Sequence, residues 1–451
     1  MSATDPNHTT HHVTHQALHR TIEAVWRIES ARVIAGLTRL TRDVGLAEDL
    51  AQEALAAALE QWPQSGVPDN PAAWLTATAK RRAIDLFRRN AIAERKHEDL
   101  ARDLATLEQT VPDLNSTLDD PIGDDLLRLV FISCHPILST ESRVALTLRL
   151  LGGLTTAEIA RAFLTPEPTI AQRIVRAKRT LDEKHIPFEV PRGPELAARL
   201  SSVLEVIYLI FNEGYCATAG DDLIRPTLCE DALRLGRILA ELTPQEPEVH
   251  GLVALMEIQA SRTRARIGPT GEPILLLDQN RAHWDLLLIR RGLAAIDRAT
   301  NILNTNSTTN RSPTDISPAP KDAPTRGPYL LQAEIAACHA RAHTPEATDW
   351  PRIVSLYTEL AHLTPSPVIE LNRAVAVSMA NGPQVALDLV EALASDPSLD
   401  RYHLLPSVRA DLLYKLGRHH EARTQFELAA SLTQNTRERV LLLNRATSCR
   451  D

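Results

Sequence analysis

At 451 residues the chain has room for two or three domains, each with its own core. A hydrophobic share of 44% and a charged share of 24% are those of an ordinary globular protein, and a net charge of −8 excludes nucleic-acid binding by bulk electrostatics alone. The five cysteines, Cys134, Cys216, Cys229, Cys338 and Cys449, have no CxxC spacing and suggest neither a disulfide framework nor a zinc site. With no membrane-length apolar run and no signal-peptide core at the N-terminus, a reducing cytoplasm is expected. Glycine is scarce at 17 residues, while the 29 prolines fall between apolar stretches rather than inside them. Hairpin signals such as Asn-Gly are nearly absent. The expected fold class is all-α.

Residues 1–16 are polar, with His8, His11, His12 and His15, and read as a disordered tail. Two helical segments follow to Trp62, broken at Gly45. The second, AEDLAQEALAAALEQW, opens with Glu48 and Asp49, acids that suit a helix N-terminus. It turns Leu50, Ala54, Ala57 and Ala58 inward and Gln52 and Glu53 outward. A Pro/Gly-rich loop, 63–70, leads into PAAWLTATAKRRAIDLFRRN, where Asp69 or Asn70 caps and Pro71 suits the first turn. Trp74, Leu75, Thr78, Ile84 and Phe87 form its apolar stripe. Lys80, Arg81, Arg82, Arg88 and Arg89 cluster toward its second half; alone, such a cluster reads first as a solvated charged face.

Residues 93–124 read as a polar linker, after which residues 125–151 hold two helices split by Pro136. In LTTAEIARAFL, Thr155 and Glu158 have capping-box spacing. A short turn then leads to TPEPTIAQRIVRAKRTL, with Thr165 as cap, Pro166 at the first position, and Ile170, Ile174, Val175 and Leu181 as apolar contacts. With Ala160 small enough for close packing, the pair reads as a helix-turn-helix; an αα-hairpin is the bland alternative. Thr169, Gln172, Arg173 and Arg176 face outward from its second helix. Arg and Gln make bidentate contacts with guanine and adenine edges.

Residues 195–451 are Leu/Ala-rich helices with a repeat. Ile353, Tyr357 and Leu360 recur as Ala386, Val390 and Leu393, then as Ala422, Phe426 and Ala429, close to the tetratricopeptide period of about 34 residues. Helix pairs of this kind must stack to bury their apolar faces, so a solenoid is expected, with Asn435 and Glu438 opening a final capping helix. The stretch from about 304 to 326, NTNSTTNRSPTDISPAPKDAPTR, reads as a disordered insertion.

The stretches AEDLAQEALAAALEQWP, NPAAWLTATAKRRAIDLFRR and ALTLRLLGGLTTAEIARAFLTPEPTIAQRIVRAKRTL together resemble an extracytoplasmic-function (ECF) sigma factor. That family is the bacterial RNA polymerase subunit that recognises promoters. YLIFNEGY (208–215), LDQNRAHWD (277–285) and GPYLLQAEIAACHA (327–340) resemble the C-terminal extension of the subgroup fused to a tetratricopeptide-like domain. The resemblance implies a region-two bundle over 17–92 and a region-four helix-turn-helix domain over 125–187. It also implies that Asp49, Gln52 and Glu53 dock on the β′ clamp helices of core RNA polymerase. Asp69, Asn70, Trp74, Thr78, Lys80, Arg81, Arg82, Arg88 and Arg89 would open and read the −10 element, which calls for cations for phosphates and aromatics for unstacked bases. Thr169, Gln172, Arg173 and Arg176 would read the −35 element in the major groove. Arg82 stands where many members have Asn. The partners implied are core polymerase and promoter DNA, with a regulatory protein acting through the C-terminal domain, and the location is the cytoplasm, nucleoid-associated in holoenzyme.

The expected function is therefore promoter-specific initiation with core polymerase, regulated by the C-terminal domain. The rival is a one-component helix-turn-helix regulator with a repeat sensor domain that never joins polymerase. No enzyme, cofactor or metal is expected, because a phosphate-binding Gly loop, HExxH and G-x-S-x-G are absent. Cys134 and His135 read as core packing, since adjacent helical residues point about 100° apart. Glu213 and Tyr215 could line a ligand site, with Gly214 marking a helix end.

Overall fold

The computed structural model describes residues 6–93, 121–217, 219–269, 271–309 and 326–449. Among the described residues there are eighteen α-helices, and the only paired strands are two residues each, so the protein is all-α. No helix among them is long and apolar enough to cross a membrane. The chain divides into two compact units, Met1–Val206 and Ile207–Asp451.

In the first unit, α1 (Pro6–Thr41) begins inside the stretch expected to be a disordered tail. Neither Gly nor Pro interrupts the chain between Pro6 and Gly36, so the helix propagates upstream from the buried Ile22 and Trp26. The side chains of His8, His11, His12 and His15 lie outside the described residues. The break after α1 is not at Gly45. Arg42 takes a left-handed conformation, φ 56°, and Asp43 caps α2 (Val44–Ser65) by accepting from Gly45 N at 2.7 Å and Leu46 N at 3.1 Å. Glu48 and Asp49 therefore sit beyond the first turn rather than at the helix start. Pro63, expected to open the loop, lies inside the end of α2, which closes at Gly66 with φ 82°.

Asn70, not Asp69, caps α3 (Pro71–Ala93), its Oδ1 accepting from Ala73 N at 3.0 Å. The buried stripe of α3 is Leu75, Ala79 and Ala83, so the core face is set by small residues and Trp74 and Thr78 are only half-buried. The expected linker falls largely on residues 94–120, outside the described residues. The chain resumes in α4 (Pro121–Ser133), four positions before the expected start, and continues in α5 (Thr140–Leu150), α6 (Thr156–Ala162) and α7 (Glu167–Glu183).

The capping box of α6 is formed: Thr155 accepts from Glu158 N, and Glu158 accepts from Thr155 N. Thr165 does not cap α7. Its hydroxyl donates to Phe163 O at 3.1 Å, and Pro166 occupies the cap position without a side-chain bond. Ile170, Ile174, Ala177 and Leu181 form the buried stripe of α7, while Val175, expected in it, is 62% exposed.

The boundary between units lies within α8 (Pro194–Tyr215), not at residue 195. Helix ends leave backbone carbonyls without intrahelical donors. Arg199 Nη2 donates to Phe131 O at 2.9 Å and Ser202 Oγ to Cys134 O at 2.7 Å, closing the end of α4. Arg143 of α5 reaches Ser202 and, at 3.0 Å, Glu205. The first half of α8 thus belongs to the first unit.

The second unit runs on through α9 (Pro226–Leu242), α10 (Pro247–Ala260), α11 (Leu286–Thr309), α12 (Pro328–Arg341), α13 (Trp350–Leu363), α14 (Pro367–Asn381), α15 (Pro383–Leu393), α16 (Leu404–Lys415), α17 (His419–Leu432) and α18 (Thr436–Ser448). Sequential neighbours from α13 to α18 pack on one another, and the repeated triads fall on inward faces: Ala386, Val390, Ala422, Phe426 and Ala429 share one cluster. Most of the expected insertion, residues 310–325, lies outside the described residues, while both of its ends are structured. Residues 304–309 continue α11, and Arg326 is ion-paired with Glu334 at 2.8 Å and Glu359 at 2.5 Å.

The last helix is tied back to the first loop. Ala219–Gly220 (β1) pairs in parallel with Gln434–Asn435 (β2). Asn435, fully buried, donates to Ala217 O at 3.1 Å and Asp222 O at 3.0 Å while its Oδ1 caps α18.

Gly214 lies one residue before the end of α8, as expected, and is also a close approach; an added Cβ would lie 2.6 Å from Cys229 N. Gly251 in α10 meets Leu330 N at the same 2.6 Å. Gly251→Ala is therefore expected to destabilise the protein by about 1–3 kcal/mol, read as a lower thermal midpoint. Gly36→Ala, with nothing within 4 Å of the added carbon, should leave that midpoint unchanged or raise it slightly.

Candidate functional site

On α2, Asp49, Gln52 and Glu53 are spaced i, i+3 and i+4 and share one outward face. Asp49 and Glu53 are exposed and Gln52 is half-buried, opposite the buried Leu50, Ala54, Ala57 and Ala58. Glu48, one position earlier, is turned inward and only 2% exposed. It accepts from Arg149 Nε of α5 at 2.5 Å and is ion-paired with Lys178 Nζ of α7, which also lies 3.8 Å from Asp49. The sequence reading missed this role of Glu48, taking it for a helix-start acid. The signal was there: an acid one residue out of phase with the exposed face and flanked by Ala47 and Ala51.

The nucleic-acid candidates on α3 are only partly brought together. Trp74 stands edge-on to Trp62, ring centroids 5.4 Å apart, and Trp62 is 1% exposed, so one indole anchors the other at the mouth of the 66–70 loop. Asp69 and Asn70 are exposed beside them. Thr78, Arg81 and Arg88 follow Trp74 at helical spacing, with Arg82 and Arg89 alongside. Arg82 Nη1 donates to Glu53 Oε2 at 2.9 Å, linking an expected DNA-reading cation to an expected docking acid. Lys80 lies on the other flank, where burial and the neighbouring Arg39 lower its pKa.

On α7, Thr169, Gln172, Arg173 and Arg176 share a face away from the buried stripe; Gln172 and Arg176 are exposed and Thr169 and Arg173 half-buried. Lys178 projects from a different flank, so its bond to Glu48 does not cover that face.

The helices expected as two separate modules are packed together within this unit. Arg39 of α1 pairs with Asp125 of α4 at 3.1 Å, and Asp125 also takes Arg128 at 2.7 Å. Arg27 of α1 pairs with Glu158 of α6 at 3.3 Å. Burial alone would raise the Glu158 carboxyl; the bonds from Thr155 and the charges of Arg27 and Arg161 outweigh it and hold the pKa below the ordinary value. Cys134 is buried beside Thr147 Oγ1 at 3.3 Å, and burial pushes its thiol up while His135 is pushed down to about 4, chiefly by burial. Cys134 is thus a core residue as expected, whereas His135 lies beyond the end of α4, half-buried, its Nδ1 accepting from Ile137 N at 3.1 Å.

Removing the Glu48 carboxylate strands two cations that are each 19% exposed. Glu48→Gln should cost about 3 kcal/mol, the low end for breaking a buried pair, and Lys178→Met clearly less because Arg149 remains. Urea unfolding of the full chain checks both.

The comparisons follow the same order along the chain. Residues 27–92 match the family described as Sigma-70 region 2, residues 128–181 match Sigma-70, region 4, and residues 199–300 match a family of unknown function (DUF6596). An uncharacterised protein of Rhizobium meliloti (strain 1021) is 42% identical over 409 residues, 90% of each chain. The probable ECF RNA polymerase sigma factor SigI of Mycobacterium tuberculosis is 27% identical over 175 residues, 38% of this chain and 58% of that one. The ECF RNA polymerase sigma factor SigK of Mycobacterium ulcerans is 30% identical over 161 residues, 33% of this chain and 78% of that one. No solved structure matches.

Proposed function

The chain belongs to the extracytoplasmic-function sigma factors that carry a fused C-terminal helical domain, and from that premise we propose that it joins core RNA polymerase and directs initiation at specific promoters. The observation that carries the reading is the placement of three distinct faces within one unit. The acidic face of α2 (Asp49, Gln52, Glu53) serves polymerase docking. The face of α3 from Trp74 to Arg89, with Asp69 and Asn70 before it, serves the opened −10 element. The outward face of α7 (Thr169, Gln172, Arg173, Arg176) serves the −35 element.

Scale argues for opening. Elements about 25 base pairs apart are separated by roughly 85 Å at 3.4 Å per base pair. A compact unit of this size has a radius of gyration of about 17 Å. The packed arrangement cannot reach both, whereas residues 94–120 reach up to about 90 Å when extended. On engagement, the bonds of Glu48, Asp125 and Glu158 across the two modules then break. The C-terminal unit sets how readily this happens, as a regulator fused to the reading modules.

The test is transcription in vitro with purified core polymerase on a promoter library, comparing the full chain with residues 1–206. The cut belongs after Val206, because a cut near 190 would remove Arg199 and Ser202 from the end of α4. Polymerase-dependent initiation is expected, and Arg173→Ala and Arg176→Ala should each reduce it about tenfold, from a contact of about 1–3 kcal/mol. DNA binding without polymerase and no initiation would refute the reading, and equal output from the two lengths would remove the regulatory part.

A further inference from the structure

Three sequence stretches without a task in promoter recognition, 208–215, 277–285 and 327–340, meet inside the second unit. Tyr208 donates to Gln332 at 3.3 Å and stands edge-on to Tyr329. Arg281 Nη1 donates to His339 O at 2.5 Å and Ala342 O at 2.7 Å. Between them lies Arg262, just after α10 and 9% exposed, its guanidinium 5.9 Å from the Tyr215 ring centroid and 5.8 Å from that of Trp284. Arg281 stands 4.7 Å over the same Trp284, and Arg266 stands 3.7 Å over Tyr215.

This cluster is rich in cations and poor in acceptors. Among the described residues, none of the three arginines has an ion pair with a carboxylate; exposed Glu346 reaches Arg281 only through its field. Arg262 uses Gln259 Oε1 as its acceptor, but its Nε has none. Arg281 Nε and Nη2, Trp284 Nε1 and His339 Nδ1 are likewise buried without a partner. A guanidinium taken out of water without an ion-pair partner loses more solvation than stacking on an aromatic ring returns. The positive field is felt by His339, which burial, Arg262 and Arg281 push down to about 4.

We propose that the Arg262–Arg281–Trp284–His339 cluster is a binding site for a small molecule bearing an oxyanion, a phosphate or carboxylate group. Guanidinium forks match the planar spacing of such oxygens, and the indole N–H of Trp284 adds a further donor. Arg262 at 9% exposure and Trp284 at 5% are too enclosed for the face of a folded partner. The proposal concerns the second unit alone and stands apart from the promoter reading.

The experiment is a thermal-shift and tryptophan-fluorescence titration of the full chain with inorganic phosphate and, separately, malonate, against chloride at matched ionic strength. At least one of the two anions is expected to raise the midpoint beyond chloride and to change the emission. Phosphate alone identifies a phosphate-bearing ligand, and malonate alone a carboxylate. Arg281→Gln should weaken the response at least tenfold, and Trp284→Phe should abolish the emission change while circular dichroism shows both variants folded. If neither anion exceeds chloride, or if Arg281→Gln and Arg262→Lys respond like the native chain, the cluster is a packing feature and the proposal falls. Should Arg281→Gln fail to fold, the Trp284→Phe emission decides: a change as large as the native one overturns the site.

Discussion

The first unit turns on one buried carboxylate. Glu48 sits on α2 behind its exposed acidic face and is met by cations from two later helices, Arg149 of α5 and Lys178 of α7. Because Glu48 is almost wholly dry while its partners keep some exposure, the desolvation falls mainly on the acid. Separation returns both cations to water cheaply, and it also delivers Glu48 to solvent beside Asp49. In the packed arrangement one carboxylate thus ties α2 to both α5 and α7, and its charge is hidden while that of Asp49 beside it is exposed.

The limits of the units follow from a second constraint, that buried backbone groups must be paired. Pro194 looks like a domain boundary by composition, yet the carbonyls of Phe131 and Cys134 at the end of α4 find their donors in Arg199 and Ser202. The first unit cannot end before those side chains. Asn435 plays the corresponding part in the second unit, satisfying two loop carbonyls near residue 220 while capping the final helix. A stack of helix pairs left open would present that loop to water; here the last helix closes it.

What the sequence made legible is local chemistry. The capping box at Thr155 and Glu158, the caps at Asn70 and Asn435, and the inward triads ending at Phe426 are each decided within a turn or one repeat, and each stands where spacing puts it. The outward faces of α2 and α7 are legible for the same reason. The failures are choices settled by distant partners or by backbone. Gly45 is the better helix breaker, but Asp43 offers a cap and Arg42 takes the left-handed turn before it. Gly214 does stand at the end of α8, but only the approach of Cys229 shows why a side chain is excluded there. Lys80 counts as one more base in a basic run until α1 half-buries it beside Arg39.

The two buried charge clusters differ in balance, and the difference separates structure from binding. Around Glu48 one carboxylate faces two partly wet cations, so the cluster is complete as it stands. Around Arg262 three guanidiniums gather with no carboxylate ion pair and with donors that find no acceptor. Tyr215 and Trp284 return part of the solvation lost by the buried Arg262 through their ring faces, about 2 kcal/mol where dry, against several lost, while Arg266 and Arg281 stay half-exposed. Among the described residues no carboxylate closes that difference for Arg262, which is what makes a small anion a fitting ligand. The three stretches that distinguish the C-terminal domain supply Tyr215, Arg281, Trp284 and His339, so what sets this domain apart from bare stacked helices is concentrated where an anion would be held.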